Sequence, residues 1–165
     1  KNITGNGDGN GIIIQYIDGV LELFNIPERK KVVTEHTGLR ITSNLVIDNN
    51  KTHLLYGTES GELYFWETSY YTMPIFLNEN WLIPQFDLVL NIDLSNYKIN
   101  VLALSPSDDM LTIGCEDGTI ILYDMITNQE CIRDKITDDS IQSIIFRNDD
   151  LFIGTKKGDV ILAEF

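Results

Sequence analysis

Four segments of the chain share one pattern of apolar and polar positions. In each, an apolar stretch leads into a tight turn that ends in glycine, and a second apolar stretch follows. The turn glycines are Gly19, Gly61, Gly118 and Gly158. Glycine supplies the positive φ that a two-residue hairpin turn needs, so each segment predicts a β-hairpin. The strands are apolar at nearly every position, as in residues 119–122 (TIIL), which is typical of strands covered on both faces of a sheet.

The hairpins recur at similar intervals along the chain. From position 19 to 61, 61 to 118 and 118 to 158, the intervals are 42, 57 and 40 residues. A period near forty with a hairpin in each unit is typical of a β-propeller, whose blades bury their apolar faces by stacking. The pattern therefore predicts an all-β fold of stacked four-stranded blades.

The repeat resembles the WD40 family. In that family a Gly-His pair precedes the first strand, a Ser or Thr lies on the second, Asp-Gly forms the turn and Trp-Asp ends the third strand. Residues 35–48 (EHTGLRITSNLVID) resemble the opening of such a repeat, with Glu35 in place of Gly. Residues 101–124 (VLALSPSDDMLTIGCEDGTIILYD) keep Asp117 in the turn and carry Tyr123 in place of Trp. The first and last units keep the strand pattern and the turn.

The resemblance implies structural roles for four residues. His36, Thr58 and Trp66 lie where the family has a buried, hydrogen-bonded His, Ser or Thr, and Trp, and Asp117 lies where it has the turn Asp. We therefore expect His36 to be buried, bonded towards Thr58 and Trp66, and structural rather than catalytic.

The resemblance also implies how the chain is divided. Each blade of the family has four strands, a to d, and strand d on the outer rim opens the next repeat. Residues 1–165 then form a single partial propeller with blade segments at 12–28, 30–68, 87–124 and 130–163. Because propellers have about four to eight blades, the resulting three and a half or so are expected to belong to a larger ring or to complete one with another chain.

The composition narrows the possible functions. The chain has 12 Lys and Arg against 25 Asp and Glu, a net charge of −13, which argues against nucleic acid because binding its phosphate backbone needs a basic surface. No run of about eighteen apolar residues occurs, so no membrane span is expected. Cys115 and Cys131 form no disulfide framework or metal-ligand spacing, which favours a reducing compartment, cytoplasmic or nuclear.

The longest interval contains an insertion rich in aromatic residues, at 69–86 (SYYTMPIFLNENWLIPQF). Long loops in compact domains are usually functional or disordered, and this segment is too aromatic for disorder. Aromatic side chains also dominate the hot spots of protein interfaces. One hypothesis is that Tyr70, Tyr71, Phe76 and Trp81 anchor a protein partner. The alternative is that part of the insertion is strand d and the rest packs over the outer edge of its blade.

Five aspartates fall in the turns between strands a and b, namely Asp48, Asp108, Asp109, Asp149 and Asp150. In a propeller the a–b and c–d loops emerge on one face of the disc, so these carboxylates and the insertion are expected on the same side. Such a surface suits a basic peptide segment with apolar anchors, steered by Asp108, Asp109, Asp149 and Asp150. The alternative is that they are ordinary turn residues whose side chains cap the local backbone.

No pattern in the chain predicts catalysis. No Ser or Cys lies in a nucleophile motif, no phosphate-binding loop occurs, and the two histidines and two cysteines lack metal-ligand spacing. Residues 4–11 (TGNGDGNG) resemble Asp- and Asn-rich calcium loops, but Asp8 alone is charged and the bidentate glutamate is missing. No cofactor or metal is therefore expected.

The sequence thus favours a non-enzymatic scaffold that binds other protein chains within a larger assembly. A structural role is the alternative, in which the segment completes a propeller with another chain or segment and has no discrete ligand site. A calcium-dependent binding module is the less favoured third possibility.

Overall fold

The computed structural model of the protein describes residues 2–5, 11–49, 53–72, 82–94, 97–147 and 150–164. In these ranges the chain forms β-strands joined by turns, and no helix there is long and apolar enough to cross a membrane. The strands are β1 (Asn2–Gly5), β2 (Gly11–Gln15), β3 (Val20–Asn25), β4 (Lys30–His36), β5 (Val46–Ile47), β6 (His53–Gly57), β7 (Glu62–Thr72), β8 (Leu82–Asp93), β9 (Ile99–Leu104), β10 (Met110–Cys115), β11 (Thr119–Asp124), β12 (Gln129–Lys135), β13 (Ile141–Arg147), β14 (Asp150–Thr155) and β15 (Val160–Glu164).

The described strands pair in chain order, each antiparallel to the next, into four sheets. β1–β4, β5–β8 and β9–β12 form four-stranded sheets, and β13–β15 form a three-stranded sheet. Each sheet is a meander of the kind found in a propeller blade. The all-β class and the blade-like sheets predicted from the repeat are confirmed.

The first sheet contains a strand that the sequence pattern did not reveal. β1 pairs with β2 from Asn2 opposite Gln15 to Gly5 opposite Ile12. The pattern missed β1 because its sequence, NITG, has a single large apolar residue. β4 pairs with β3 and lies at the outer edge of the same sheet.

Apolar clusters fill the spaces between neighbouring sheets. Ile13 and Leu21 of the first sheet pack with Leu54, Tyr56 and Tyr64 of the second. The second and third sheets are joined by a cluster of Leu55, Leu63, Leu94, Ile99, Leu102, Leu111, Ile113, Cys115, Ile121 and Tyr123. The third and fourth sheets are joined by Val101, Ile120, Leu122, Ile141, Ile144, Leu151 and Ile153.

β10 and β11 explain why these strands are apolar at nearly every position. Leu111 and Ile113 pack towards the second sheet, whereas Ile120 and Leu122 pack towards the fourth, and all four are buried. Successive side chains of a strand point to opposite faces of its sheet, so a sheet covered on both sides needs apolar residues at both sets of positions. Burying one such side chain contributes about 2 kcal/mol.

Asparagine side chains tie the first strands of neighbouring sheets together. Asn44, before β5, donates from Nδ2 to Leu102 O (3.0 Å) and accepts from Leu102 N at Oδ1 (2.8 Å). Asn100 in β9 donates from Nδ2 to Ser140 Oγ (2.7 Å) and to Ile141 O (3.4 Å). These bonds satisfy backbone groups at the sheet edges, which would otherwise be left unpaired.

At Gly19 and Gly118, both the positive φ of the backbone and the lack of space for a Cβ require glycine. Gly118 has a φ of +89°, and a Cβ there would lie 2.0 Å from Thr137 O in the connection to β13. Gly19 has a φ of +85°, and a Cβ there would lie 2.1 Å from Leu39 O. In both hairpins the turn therefore packs under the chain that leads to the next sheet, which leaves no room for a side chain.

The aromatic insertion extends a hairpin. β6 ends its pairing with β7 at His53 opposite Glu67, whereas β7 and β8 continue to pair from Thr68 opposite Phe86 to Thr72 opposite Leu82. Residues 68–72 and 82–86, which we call the hairpin extension, therefore project past the end of β6. The segment 73–81 lies outside the described residues.

Candidate functional site

The connections β5–β6, β7–β8, β9–β10 and β11–β12 emerge at the same end of the stacked sheets, because alternate connections of an antiparallel meander lie at the same end. Three of them are in contact. Asn49 N donates to Asp108 Oδ2 at 2.7 Å, and Met125 N donates to Asp109 O at 2.9 Å. We call this surface the acidic face; it comprises residues 48–49, 105–110 and 124–129 and the hairpin extension.

A pocket of about 310 Å³ opens on the acidic face between the second and third sheets. Its apolar lining is Leu55, Phe65, Leu104, Met125 and Ile126. Its polar lining is Asp48, His53, Ser107, Asp108 and Asp109. We call it the inter-sheet pocket, and it combines apolar walls with three carboxylates.

Asp48 and His53 form one wall of the inter-sheet pocket. Asp48 Oδ1 accepts a hydrogen bond from His53 N at 2.9 Å, and Asp48 Oδ2 lies 2.9 Å from His53 Nδ1. The His53 ring stacks on Phe65, with ring centroids 4.5 Å apart. No sequence pattern predicts this pairing, because the two residues are brought together by the return of the chain from β5 to β6.

The β9–β10 turn forms the opposite wall. Asp108 has a φ of +61°, a left-handed conformation that Asp and Asn adopt more readily than other non-glycine residues. Hydrogen bonds from the hydroxyls of Ser105 and Ser107 lower the pKa of the Asp109 carboxyl. In the part of the chain that the structure describes, no Lys, Arg or His pairs with Asp108 or Asp109.

Ile126 completes the lining of the pocket, and Asp124 holds the turn that carries it. Asp124 Oδ1 accepts hydrogen bonds from Ile126 N (2.8 Å) and Thr127 N (2.9 Å), which fixes the turn. The bond from Thr127 N is the largest cause of the lowered pKa of Asp124, and the bond from Ile126 N adds to it, whereas desolvation and the Asp109 charge oppose it. The Ile126 side chain is 77% exposed, so an apolar group stands in solvent beside carboxylates.

The structure brings some of the proposed partner-binding residues together and not others. Asp108 and Asp109 lie side by side with Asp48 in one pocket. Asp150 begins β14 in the fourth sheet, opposite Arg147 and Glu164. Of the aromatic candidates, Tyr70 and Tyr71 lie on the hairpin extension, opposite Pro84 and Ile83. Three candidates, Phe76, Trp81 and Asp149, lie outside the described residues.

The expectation that His36 is buried is wrong. His36 is exposed at the end of the outer strand β4, because the chain turns inward one residue later, at Thr37. Thr37 makes the contact to the hairpin turn, donating from both N and Oγ1 to Gly19 O. No bond joins His36 to Thr58, whose hydroxyl instead interacts with Ser60 Oγ and Glu62.

The two other residues assigned structural roles lie in strand and turn. Trp66 lies in β7, opposite Leu54 and Leu88. Asp117 accepts hydrogen bonds from Thr119 N (3.0 Å) and Thr119 Oγ1 (2.9 Å), closing the β10–β11 turn.

The described residues offer little reactive chemistry. Cys115 and Cys131 are free thiols, the first buried and the second exposed. Burial, with a further contribution from the Asp117 charge, raises the pKa of the Cys115 thiol to about 12, so it is no thiolate nucleophile at neutral pH. Within the described ranges, His, Cys, Asp and Glu form no group that could hold a metal ion. The calcium-loop candidate Asp8 lies outside those ranges.

Solved structures share this fold. The chain aligns with the β-propeller domain of Myceliophteria thermophila Cps50 (Swd1) at a TM-score of 0.77 and 11% identity, over 97% of this chain and 49% of that chain. It aligns with the computationally designed protein Ika4 at a TM-score of 0.69 and 17% identity, over 94% and 85% of the two chains. A chain of the Mitotic Checkpoint Complex aligns at a TM-score of 0.71 and 12% identity, over 93% and 44%.

The comparisons define the fold as that of β-propeller blades. The chain spans about half the length of the Swd1 propeller domain and somewhat less of the checkpoint-complex chain. No protein-family model matches the chain, and no curated protein matches it in sequence.

Proposed function

We propose that the chain is a WD40-like propeller segment that acts as a non-enzymatic scaffold, binding a segment of another protein on its acidic face. The observation that carries this proposal is the inter-sheet pocket, where Asp108 and Asp109, which pair with no Lys, Arg or His among the described residues, lie beside apolar walls and the exposed Ile126. An apolar surface edged by carboxylates fits a basic segment with apolar anchors.

Rigidity of the acidic face supports a binding role. The bond from Asn49 N to Asp108 Oδ2 and the bond from Met125 N to Asp109 O hold three connections in one arrangement. A preformed surface loses little conformational entropy when a partner binds, so more of the contact energy appears as affinity. The net charge of −13 would also speed the approach of a basic partner.

The hairpin extension is proposed as the second half of the binding surface. It projects past β6 on the acidic face and carries Tyr70 and Tyr71, with Phe76 and Trp81 in the connecting segment as further anchors. Asp149 and Asp150 would extend the negative surface to the fourth sheet.

Selection from a displayed random-peptide library tests this proposal. Peptides enriched on the immobilised chain should carry Arg or Lys next to large apolar residues, because the acidic face offers carboxylates beside apolar walls. Binding should fall at least about tenfold for the variant Asp108→Asn with Ile126→Ser. The matched control is Asp134→Asn with Ile132→Ser, which makes the same chemical changes on the exposed strand β12. Enrichment of peptides without basic residues, or equal loss in both variants, would contradict the proposal.

A second candidate function is ring completion, supported by the open face of the fourth sheet. Ile145, Phe152 and Leu162 lie opposite one another across β13–β15, and Ile145 and Leu162 are 64% and 51% exposed. Val160, on the same face, is 72% exposed. On the second and third sheets the corresponding apolar positions are buried by the next sheet, so another blade would cover this face.

Sedimentation velocity over a range of concentrations tests ring completion. The chain should form particles larger than 18.8 kDa, and Leu162→Glu should return them to monomers, because a charge on the open face opposes stacking. Ile132→Glu, on the outer strand β12, is the control. A chain that stays monomeric at every concentration, with no change on Leu162→Glu, would rule out self-assembly through this face.

A further inference from the structure

We infer that the inter-sheet pocket is the receptor for one arginine side chain of the bound partner segment. This inference rests on the proposed function, since it names the residue type that the acidic face recognises. It depends on the shape, the charge and the aromatic wall of the pocket.

The pocket has the size and the wall chemistry for a long side chain with a charged head. Its volume of about 310 Å³ is at the lower end of the range for sites that hold small molecules. Leu104, Met125 and Ile126 give an apolar passage for the methylene groups of an arginine. Long cationic side chains commonly lay their methylene groups along apolar surface and place the charge at a polar end.

The carboxylates of the β9–β10 turn place fixed negative charge in the lining of the pocket. Asp108 uses Oδ2 to accept from Asn49 N, and Asp109 uses Oδ1 to accept from Ser105 and Ser107. Asp108 therefore keeps a second oxygen that no described residue bonds, whereas the backbone N–H groups of Asp109 and Met110 add to the serine bonds that keep Asp109 charged. Ser105 holds Asp109 by a 2.6 Å hydrogen bond, so the charge is fixed in position before any ligand arrives.

The remaining wall favours a guanidinium over an ammonium group. Phe65 and His53 line the pocket as a stacked pair with planes 21° apart. A planar guanidinium can bond two oxygens at once and also pack on an aromatic ring, whereas an ammonium acts as a point charge. Adjacent carboxylates facing an aromatic wall therefore match arginine.

NMR titration of the full chain tests the inference without a known partner. The probe is N-acetyl-arginine amide, and the matched control ligand is N-acetyl-citrulline amide, which has nearly the same shape and no charge. The arginine probe should shift the backbone amide signals of residues 105–110 and 125–127 with a millimolar dissociation constant. Citrulline and N-acetyl-lysine amide should bind at least about tenfold more weakly.

A pair of charge-matched variants assigns the site. Asp108→Asn preserves the left-handed turn, because Asn tolerates positive φ, and should weaken arginine binding about tenfold. Asp134→Asn removes the same charge from exposed strand β12 and should change binding less than about twofold. Equal binding of arginine and citrulline or lysine, or an unchanged affinity in Asp108→Asn, would overturn the inference.

The outcome for the arginine probe can be separated from that for the proposed function. If selected peptides bind the acidic face while the arginine probe shifts no pocket signal, the inference is wrong and the scaffold proposal stands. If no peptide is selected on the acidic face, the scaffold proposal fails whatever the probe does.

Discussion

At the scale of residues, three turn aspartates set the charge of the inter-sheet pocket. Their position in a–b turns was predictable from the repeat, and the structure places Asp48, Asp108 and Asp109 around one pocket. The Asp48–His53 pair was not predictable, because no spacing rule links turn residues that meet through chain reversal. The prediction that His36 is buried is wrong for a similar reason. The repeat pattern predicts where His36 lies along the chain, but it does not show that Thr37, the next residue, makes the contact to Gly19.

Removing the Ser105 hydroxyl should raise the pKa of the Asp109 carboxyl. The Ser105 hydrogen bond is the largest cause of its lowered pKa, and the Ser107 bond is the second. A carboxylate with a lowered folded-state pKa stabilises the fold above its unfolded-state pKa, about 4, and this contribution is lost as the pH falls through the folded-state value. Ser105→Ala should therefore shift the loss of stability to higher pH.

Carbon-13 NMR titration of the Asp109 carboxyl measures this effect. The upward shift should be larger for Ser105→Ala than for Ser107→Ala. An unchanged Asp109 pKa in Ser105→Ala would show that the hydroxyl does not hold the carboxylate.

The two thiols should differ sharply in reactivity. Cys131 is exposed, whereas Cys115 is buried with a pKa raised to about 12. At pH 8, iodoacetamide should modify Cys131 in the folded protein and both thiols in denaturant, because the thiolate is the reactive form. Mass spectrometry of the alkylated peptides shows which thiol has reacted. Rapid modification of Cys115 in the folded protein would contradict its burial.

At the scale of elements, the local sequence patterns predict the β-hairpins correctly. Turn glycines and two-sided apolar strands gave the hairpins, because turn geometry and strand alternation are local properties. The sequence of β1 lacks the pattern, and Pro74 and Pro84 in the insertion predict a loop, because proline interrupts strands. In the extension the backbone pairing of β7 and β8 outweighs that preference, with Pro84 opposite Tyr70.

Alanine substitutions at two hairpin glycines, Gly158 and Gly118, should lower the free energy of unfolding by different amounts. At Gly158 (φ +97°) a Cβ would meet nothing within 4 Å, so Gly158→Ala should cost about 1–2 kcal/mol, the penalty for left-handed backbone. At Gly118 the same change also forces a Cβ against Thr137 O, so Gly118→Ala should cost more than about 3 kcal/mol. Denaturant unfolding compares the two, and equal losses would contradict the packing of the Gly118 turn under its neighbour.

At the scale of the whole molecule, the sequence predicted stacking but not the bonds that hold the stack. The forty-residue period predicts repeated blades. Such blades must bury their apolar faces against one another, and the apolar clusters between neighbouring sheets do so. The asparagine bridges were not predictable, because Asn is also an ordinary turn residue. The acidic face emerges at this scale too, since its turns come from different blades.

Asn44→Ala should destabilise the stack of the second and third sheets. The change leaves Leu102 N and Leu102 O without the Asn44 amide, and each unpaired buried group costs about 1–3 kcal/mol. Gln142→Ala is the matched control, because its exposed amide reaches only Ser140 Oγ within the described residues, and it should change stability by less than about 0.5 kcal/mol. Thermal unfolding of both variants measures the difference. Equal melting temperatures would show that the hydrogen bonds of the Asn44 amide to Leu102 contribute nothing to stability.

Hydrogen–deuterium exchange of the chain, with and without the best peptide from the library selection, tests whether a partner segment binds on the acidic face. Binding on the acidic face predicts slower exchange in residues 48–49, 105–110 and 124–129 and in the hairpin extension. It predicts unchanged exchange in the opposite turns, at 58–61, 116–118 and 156–159. Protection confined to those opposite turns or to the open face of β13–β15, or the failure to select any peptide, would contradict binding on the acidic face.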